Sequence, residues 1–123
     1  MKGVLIVGHG SRRKETERIL ISIVEMTKKN LPELKIEISY MEFGERNIPS
    51  GLDMLSKQGV NEIAVVPYFL FDGIHIQEDI PEELEKYKKA HPDIKIVMGK
   101  PLGEDERLAA ILTDRVQGAL ECL

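Results

Sequence analysis

The chain reads as an α/β protein: a single three-layer domain over residues 1–123, with a four-stranded, mainly parallel sheet and helices on both faces. Two observations predict this. Four short apolar runs rich in β-branched residues alternate with four segments whose apolar residues recur at helical spacing. A length of 123 residues suits one compact domain, and no internal repeat, low-complexity tract or interdomain linker interrupts it.

Val4-Leu5-Ile6-Val7, ending at Gly8, has the continuous apolar character of a strand buried on both faces. Ile19, Leu20, Ile23, Val24 and Met26 give residues 14–29 one helical face, which Asn30 and Pro32 close. Residues 36–41 begin with strand-like alternation. Pro49-Ser50-Gly51 opens a second helix through Leu52, Met54 and Leu55, with Gly59 as its stop. Residues 62–70 form a third strand, and Pro67 inside it removes a ladder donor, which predicts a bulge or bend. A third helix spans about 81–90 before His91-Pro92. Residues 94–98 are the fourth strand, and the last helix runs from about Asp105 to the C-terminus.

Strands alternating with helices predict parallel pairing through right-handed crossovers, and such sheets bind ligands outside the carboxyl ends of their strands. Gly8-His9-Gly10-Ser11-Arg12, Glu42-Phe43-Gly44-Glu45-Arg46 and Phe71-Asp72-Gly73-Ile74-His75 therefore meet at one edge, which receives two of the three histidines. Glycines on both sides of His9, and Gly73 before His75, allow backbone and ligand to approach closely. An imidazole binds late first-row divalent metals or acts as a general base, and the residues alone leave both roles open. Two histidines without a cysteine cluster do not make a closed structural zinc site; an open site fits better. His91, before Pro92 at a helix end, reads as structural or solvated. Ser11 reads as a cap of the first helix, and Glu78 and Asp79 as helix-dipole partners or orienters of a histidine.

Composition excludes other classes. Hydrophobic residues make up 42% and charged residues 31%, an ordinary globular balance. A net charge of −4 argues against nucleic acid or an anionic membrane as partner. Cys122 is the single cysteine, so no disulfide framework holds the fold, and a reducing, cytoplasmic setting is expected. The four-residue apolar run near the start is too short for a signal core or a membrane span. Gly8-His9-Gly10-Ser11 lacks the following glycine of a nucleophile elbow and the lysine of a phosphate loop.

Several motifs, taken together, are familiar. They are Val7-Gly8-His9-Gly10-Ser11-Arg12, then Met41-Glu42-Phe43 with Ile48-Pro49, then Val65-Val66-Pro67-Tyr68-Phe69-Leu70 leading to Gly73-Ile74-His75 and Asp79-Ile80-Pro81. With Pro101-Leu102-Gly103-Glu104-Asp105-Glu106-Arg107, they resemble the short archaeal sirohydrochlorin chelatases, the small-form CbiX type of the class II chelatase superfamily. The resemblance covers nearly the whole chain. It implies a chelatase-like half that inserts Co2+ or Ni2+ into sirohydrochlorin, on routes to cobalamin or the nickel coenzyme of methanogenesis; relatives insert iron. It implies no ATP and no permanently bound cofactor. It carries metal binding onto His9 and His75, proton acceptance onto His9, and tetrapyrrole contacts onto Glu45, Leu70, Phe71, Asp72, Gly73, Ile74 and His75. Some members carry a histidine-rich insertion before the fourth strand; here only His91 lies in that region.

Longer chelatases of that superfamily have two such halves, so a homodimer with the cleft between subunits is expected. Sirohydrochlorin carries eight carboxylates while the protein is acidic. Arg12, Arg13, Lys14 and Arg46 beside the site are either a positive rim or ordinary surface charges. A non-catalytic metal or tetrapyrrole carrier would use the same histidines. A histidine-phosphatase-like hydrolase is disfavoured because Gly8, not arginine, precedes His9-Gly10.

Overall fold

The computed structural model describes every residue except Gly44 and Asp72, and describes His75 and Gln77 by their backbone only. The order is β1 (Lys2–Gly8), α1 (Lys14–Asn30), β2 (Lys35–Tyr40), α2 (Ile48–Lys57), β3 (Glu62–Pro67), a π-helical turn (His75–Asp79), α3 (Ile80–Ala90), β4 (Lys95–Met98) and α4 (Glu106–Leu120). The sheet order is β2-β1-β3-β4, and all three pairings are parallel. The expectation of a mainly parallel sheet is met in full.

Alternation along the strands sorts the core into two layers. Leu5 and Val7 of β1, Ile63 and Val65 of β3 and Ile96 of β4 pack with Leu52 and Leu55 of α2 and Leu84 and Tyr87 of α3. The opposite face carries Ile36 and Ile38 of β2 under Leu20 and Val24 of α1. Gly51 lets α2 sit close on the sheet: a Cβ there would stand 2.6 Å from Leu5 Cδ1, and nearer still to Ser39 Oγ. Asn47 caps α2, its side-chain oxygen accepting the Ser50 N–H at 2.9 Å.

Two expectations need correction. Pro67 makes no bulge; it is the last residue of β3, which stops short of Leu70. The Gly99 N–H donates to the Val65 carbonyl at 2.8 Å, and the next rung would require an N–H on residue 67. Proline has none, so the β3–β4 ladder ends there. The third helix also starts earlier than Pro81, because the backbone is already helical through His75–Asp79. That turn is wound more widely than an α-helix, a form that apolar periodicity does not reveal.

α1 covers one face and α2 with α3 the other, while α4 has no buried residue. None of the described helices is long and apolar enough to cross a membrane.

Candidate functional site

Because β1 lies between β2 and β3, the chain leaves it toward opposite sides, and a crevice opens at the carboxyl ends of β1 and β3. His9 is the first residue after β1, and His75 opens the π-helical turn that follows β3. Backbone bonds pin the His9 loop on both flanks. The Met41 N–H donates to the Gly8 carbonyl and the Glu42 N–H to the His9 carbonyl, both at 3.0 Å, while the Tyr68 N–H donates to Val7 at 2.8 Å. Gly10 has φ +98°, which other residues adopt only with strain, and its Cα lies against the Glu42 backbone.

The His9 imidazole is half exposed. Its Nε2 stands 3.8 Å from Glu42 Oε2, and its ring meets Phe69 edge-on, with centroids 6.0 Å apart. At that distance the carboxylate attracts an imidazolium without forming a hydrogen bond to it. Beside His9 lies a cleft of about 490 Å3 whose walls include Tyr40, Phe43, Glu45, Arg46 and Tyr68. Burial, and then the nearby Glu17 carboxylate, hold the Tyr40 phenol above its usual range, so it stays a neutral donor. Phe43 has φ 58°, uncommon for a bulky residue, and the Arg12 guanidinium sits 4.9 Å from its ring centroid. An aromatic surface capped by a cation suits a flat anionic ligand.

A sequence profile of the CbiX family matches residues 3–119. The chain belongs to the CbiX family. It is 37% identical to a sirohydrochlorin cobaltochelatase of Sulfurisphaera tokodaii, over 98% of this chain and 95% of that one. A sirohydrochlorin ferrochelatase of Priestia megaterium is 37% identical over 94% of this chain, which spans only 44% of that protein. Among solved structures, the sirohydrochlorin chelatase SirB from Bacillus subtilis subspecies spizizenii, in complex with cobalt, matches with TM-score 0.89 and 36% identity. The match covers 95% of this chain and 50% of that one. The chain thus spans about half the length of those two longer relatives.

Within this CbiX-family fold, the expected site residues gather unevenly. His9 and Glu45 share the cleft wall. Leu70, Phe71 and Ile74 form a strongly exposed apolar ledge beyond β3, with Phe71 81% accessible. Gly73 accepts the Ile76 N–H at 3.1 Å and has open space where a side chain would stand. Asp72 and the His75 side chain lie outside the described residues. Among the described residues, no group of three histidine, cysteine or acidic side chains is arranged to hold a metal.

Arg46 lines the cleft, but its guanidinium also donates to Glu37 at 3.1 Å, so its charge is partly committed. Ser11 does not cap α1 itself; its Oγ accepts the N–H of Arg13, the residue at the cap position. His91 is structural, stacked on Tyr87 with centroids 4.0 Å apart. The residue overlooked in the sequence is Glu42. Its motif was visible, but its place beside His9 follows from the β1–β2 register, in which Gly8 lies opposite Tyr40.

Proposed function

We propose that this chain is a metal chelatase that inserts Co2+ or Ni2+ into sirohydrochlorin, without ATP and without a permanently bound cofactor. The observation that carries the reading is His9, an accessible imidazole pinned at the switch point of the sheet with a carboxylate 3.8 Å away. The cobaltochelatase matched almost end to end supplies the substrate class.

The chemistry asks for two functions at one place. Two pyrrole N–H protons must leave the macrocycle as the divalent ion enters. As the metal passes to the ring nitrogens, neutral His9 accepts the two protons one after the other through its ring nitrogen. Glu42, which stabilises each imidazolium, passes each proton to solvent before the next. Before that transfer His9 and His75 together hold the partly dehydrated metal over the ring, since imidazole is a good ligand for both ions, and release of the metal to the macrocycle frees the His9 nitrogen. Leu70, Phe71 and Ile74 give the macrocycle apolar surface, Arg12 with its neighbours Arg13 and Lys14 meets the peripheral carboxylates, and Glu45 faces the ring edge. Asp72 and Gly73 complete that loop. One such unit encloses a tetrapyrrole poorly, and a second copy supplies the other wall of the cleft.

The test is turnover. Sub-stoichiometric protein is mixed with sirohydrochlorin and Co2+, Ni2+ or Fe2+ in parallel, and the absorbance change is followed. Many equivalents of metallated product per protein, fastest with Co2+ or Ni2+, are expected. A rate equal to the protein-free control would leave only a carrier.

A further inference from the structure

A single cation faces the His9 cleft from the edge of the sheet. Among the described residues that line it, Arg46 is the one lysine or arginine, and the Glu17 and Glu45 carboxylates share the same wall. β2 lies at the edge of the sheet, which leaves its outer backbone groups for other partners. The chain uses one of them to fold back, the Tyr40 N–H donating to the Arg46 carbonyl at 2.7 Å. That bond closes the loop after β2 and sets Arg46 beside Tyr40, which also lines the cleft.

The strand pattern also supplies Arg46 with a partner. Ile36 and Ile38 of β2 pack under α1, so Glu37 between them turns to the α2 face. There Gln58, at the end of α2, donates through Nε2 to Glu37 Oε2 at 3.1 Å and to the Met54 carbonyl at 3.0 Å. The other carboxylate oxygen, Oε1, accepts from Arg46 Nη2 at 3.1 Å. The Glu37 side chain is only 20% accessible, against 41% for Arg46. A shielded carboxylate gripped from both sides fixes the plane of a guanidinium, which a mobile surface partner does not. Among the described residues, the Arg46 side chain makes its hydrogen bonds through Nη2, to Glu37 and to the Met54 sulfur. Its Nε and Nη1 donors are left for a ligand.

We propose that Arg46 and the Tyr40 hydroxyl form a subsite for one peripheral carboxylate of the tetrapyrrole, and that Glu37 is the positioning residue that holds Arg46 for it. The inference rests on the reading of sirohydrochlorin as substrate and deepens it. A guanidinium meets a carboxylate through two parallel N–H donors, and the phenol adds a third donor beside them. Burial, then the Glu17 carboxylate, raise the Tyr40 pKa, and the Arg46 charge acts against them, as it must where guanidinium and phenol stand close together. The macrocycle is a polycarboxylate, and Glu17 and Glu45 disfavour its substituents elsewhere on this wall. The favoured seating therefore puts a carboxylate on Arg46. Because the metal enters at the ring centre, an anchor at the ring edge acts on binding and not on the insertion step.

The experiment measures binding of metal-free sirohydrochlorin by its fluorescence, then KM and kcat for Co2+ insertion, with each fold checked by circular dichroism. Arg46→Gln should weaken binding by about 10- to 100-fold and raise KM, with kcat near the wild-type value. Arg46→Lys keeps the charge without the fork and should recover only part of that loss. Tyr40→Phe should weaken binding by about 3- to 10-fold. Lys57→Gln, the same change of charge at the far end of α2, should bind as the wild type does. Glu37 separates orientation from charge. Glu37→Ala should weaken binding by about 10-fold, and Glu37→Gln, whose amide oxygen still accepts from Arg46, should restore most of it. If charge alone mattered, removing this carboxylate would tighten binding instead. Wild-type affinity in Arg46→Gln or Tyr40→Phe would overturn the subsite, and wild-type or tighter affinity in Glu37→Ala would overturn its positioning by Glu37. A wild-type protein that binds the free ring through Arg46 but does not metallate it would sink the chelatase reading and leave this subsite standing. Metallation with an unchanged KM in Arg46→Gln would do the reverse.

Discussion

Gly10→Ala tests whether the His9 loop is held in place by backbone packing. Gly10 has φ +98°, and an added Cβ would stand 2.9 Å from the Glu42 carbonyl carbon and closer still to its oxygen. Ordinary contact begins at 3.4 Å, so the Glu42 backbone must recede by about half an ångström or more. The left-handed conformation adds about 1 kcal/mol for a residue with a Cβ, and the forced shift about 1–3 kcal/mol more. The hydrogen bond from Glu42 to the His9 carbonyl lies directly in the path of that shift, as does the 3.8 Å spacing of carboxylate and imidazole. Displacement of reacting groups by about 1 Å costs on the order of 100-fold in rate. Gly10→Ala should therefore lower metallation by roughly that factor and urea stability by about 2–4 kcal/mol. Both are measured on one preparation, by absorbance and by circular dichroism. Wild-type rate and stability together would refute the reasoning, because the two loops would then be free to move apart.

Other consequences follow from residues away from the cleft. His91→Ala removes the stack on Tyr87 and the ring nitrogen's bond to the Tyr87 carbonyl; it should cost about 1 kcal/mol in urea unfolding and leave the metallation rate unchanged. Burial, then the Asp53 carboxylate accepting its hydroxyl at 2.7 Å, keep the Tyr87 phenol far above the usual tyrosine range. The folded state favours the neutral phenol, so its contribution is complete below the unfolded value near 10 and is lost as pH rises past it. Stability should fall above about pH 10 in the wild type, and Tyr87→Phe, costing about 1–3 kcal/mol at neutral pH, should reduce that slope. Asp105 caps α4 and accepts from Arg107 through side chain and backbone, which hold its carboxyl well below the usual carboxylate range. Its contribution is present above the unfolded carboxylate value and lost only as pH falls through the lower folded one. The Asp105 carboxyl resonance should accordingly stay in its ionised position at pH 3; ordinary titration near pH 4 would show that the cap is frayed.

Much of this was legible in the sequence because it depends on local chemistry. The apolar run at Val4–Val7, the helical spacing at Leu20 and Val24 and the breaker at His91-Pro92 each report an element directly. Alternation of elements fixed the parallel sheet, and the strand ends placed His9 and the segment leading to His75 on one edge. What remained hidden depends on strand order and register. Glu42 stands beside His9 only because β2 is the neighbour of β1, and apolar patterning does not state which strands are neighbours. The fate of Pro67 likewise required knowing where β4 ends. In sequence α4 looked like any core-facing helix, yet it buries no residue, since periodicity reports that a face is apolar and not whether it is covered.

The most direct measurement is the metallation rate of His9→Ala against wild type with sirohydrochlorin and Co2+, with the fold checked by circular dichroism. Loss of a positioned base costs about 100- to 10,000-fold, so a folded His9→Ala protein should lie at or near the protein-free rate. A folded His9→Ala protein that metallates at nearly the wild-type rate would remove His9 from the chemistry, and the proposed site with it.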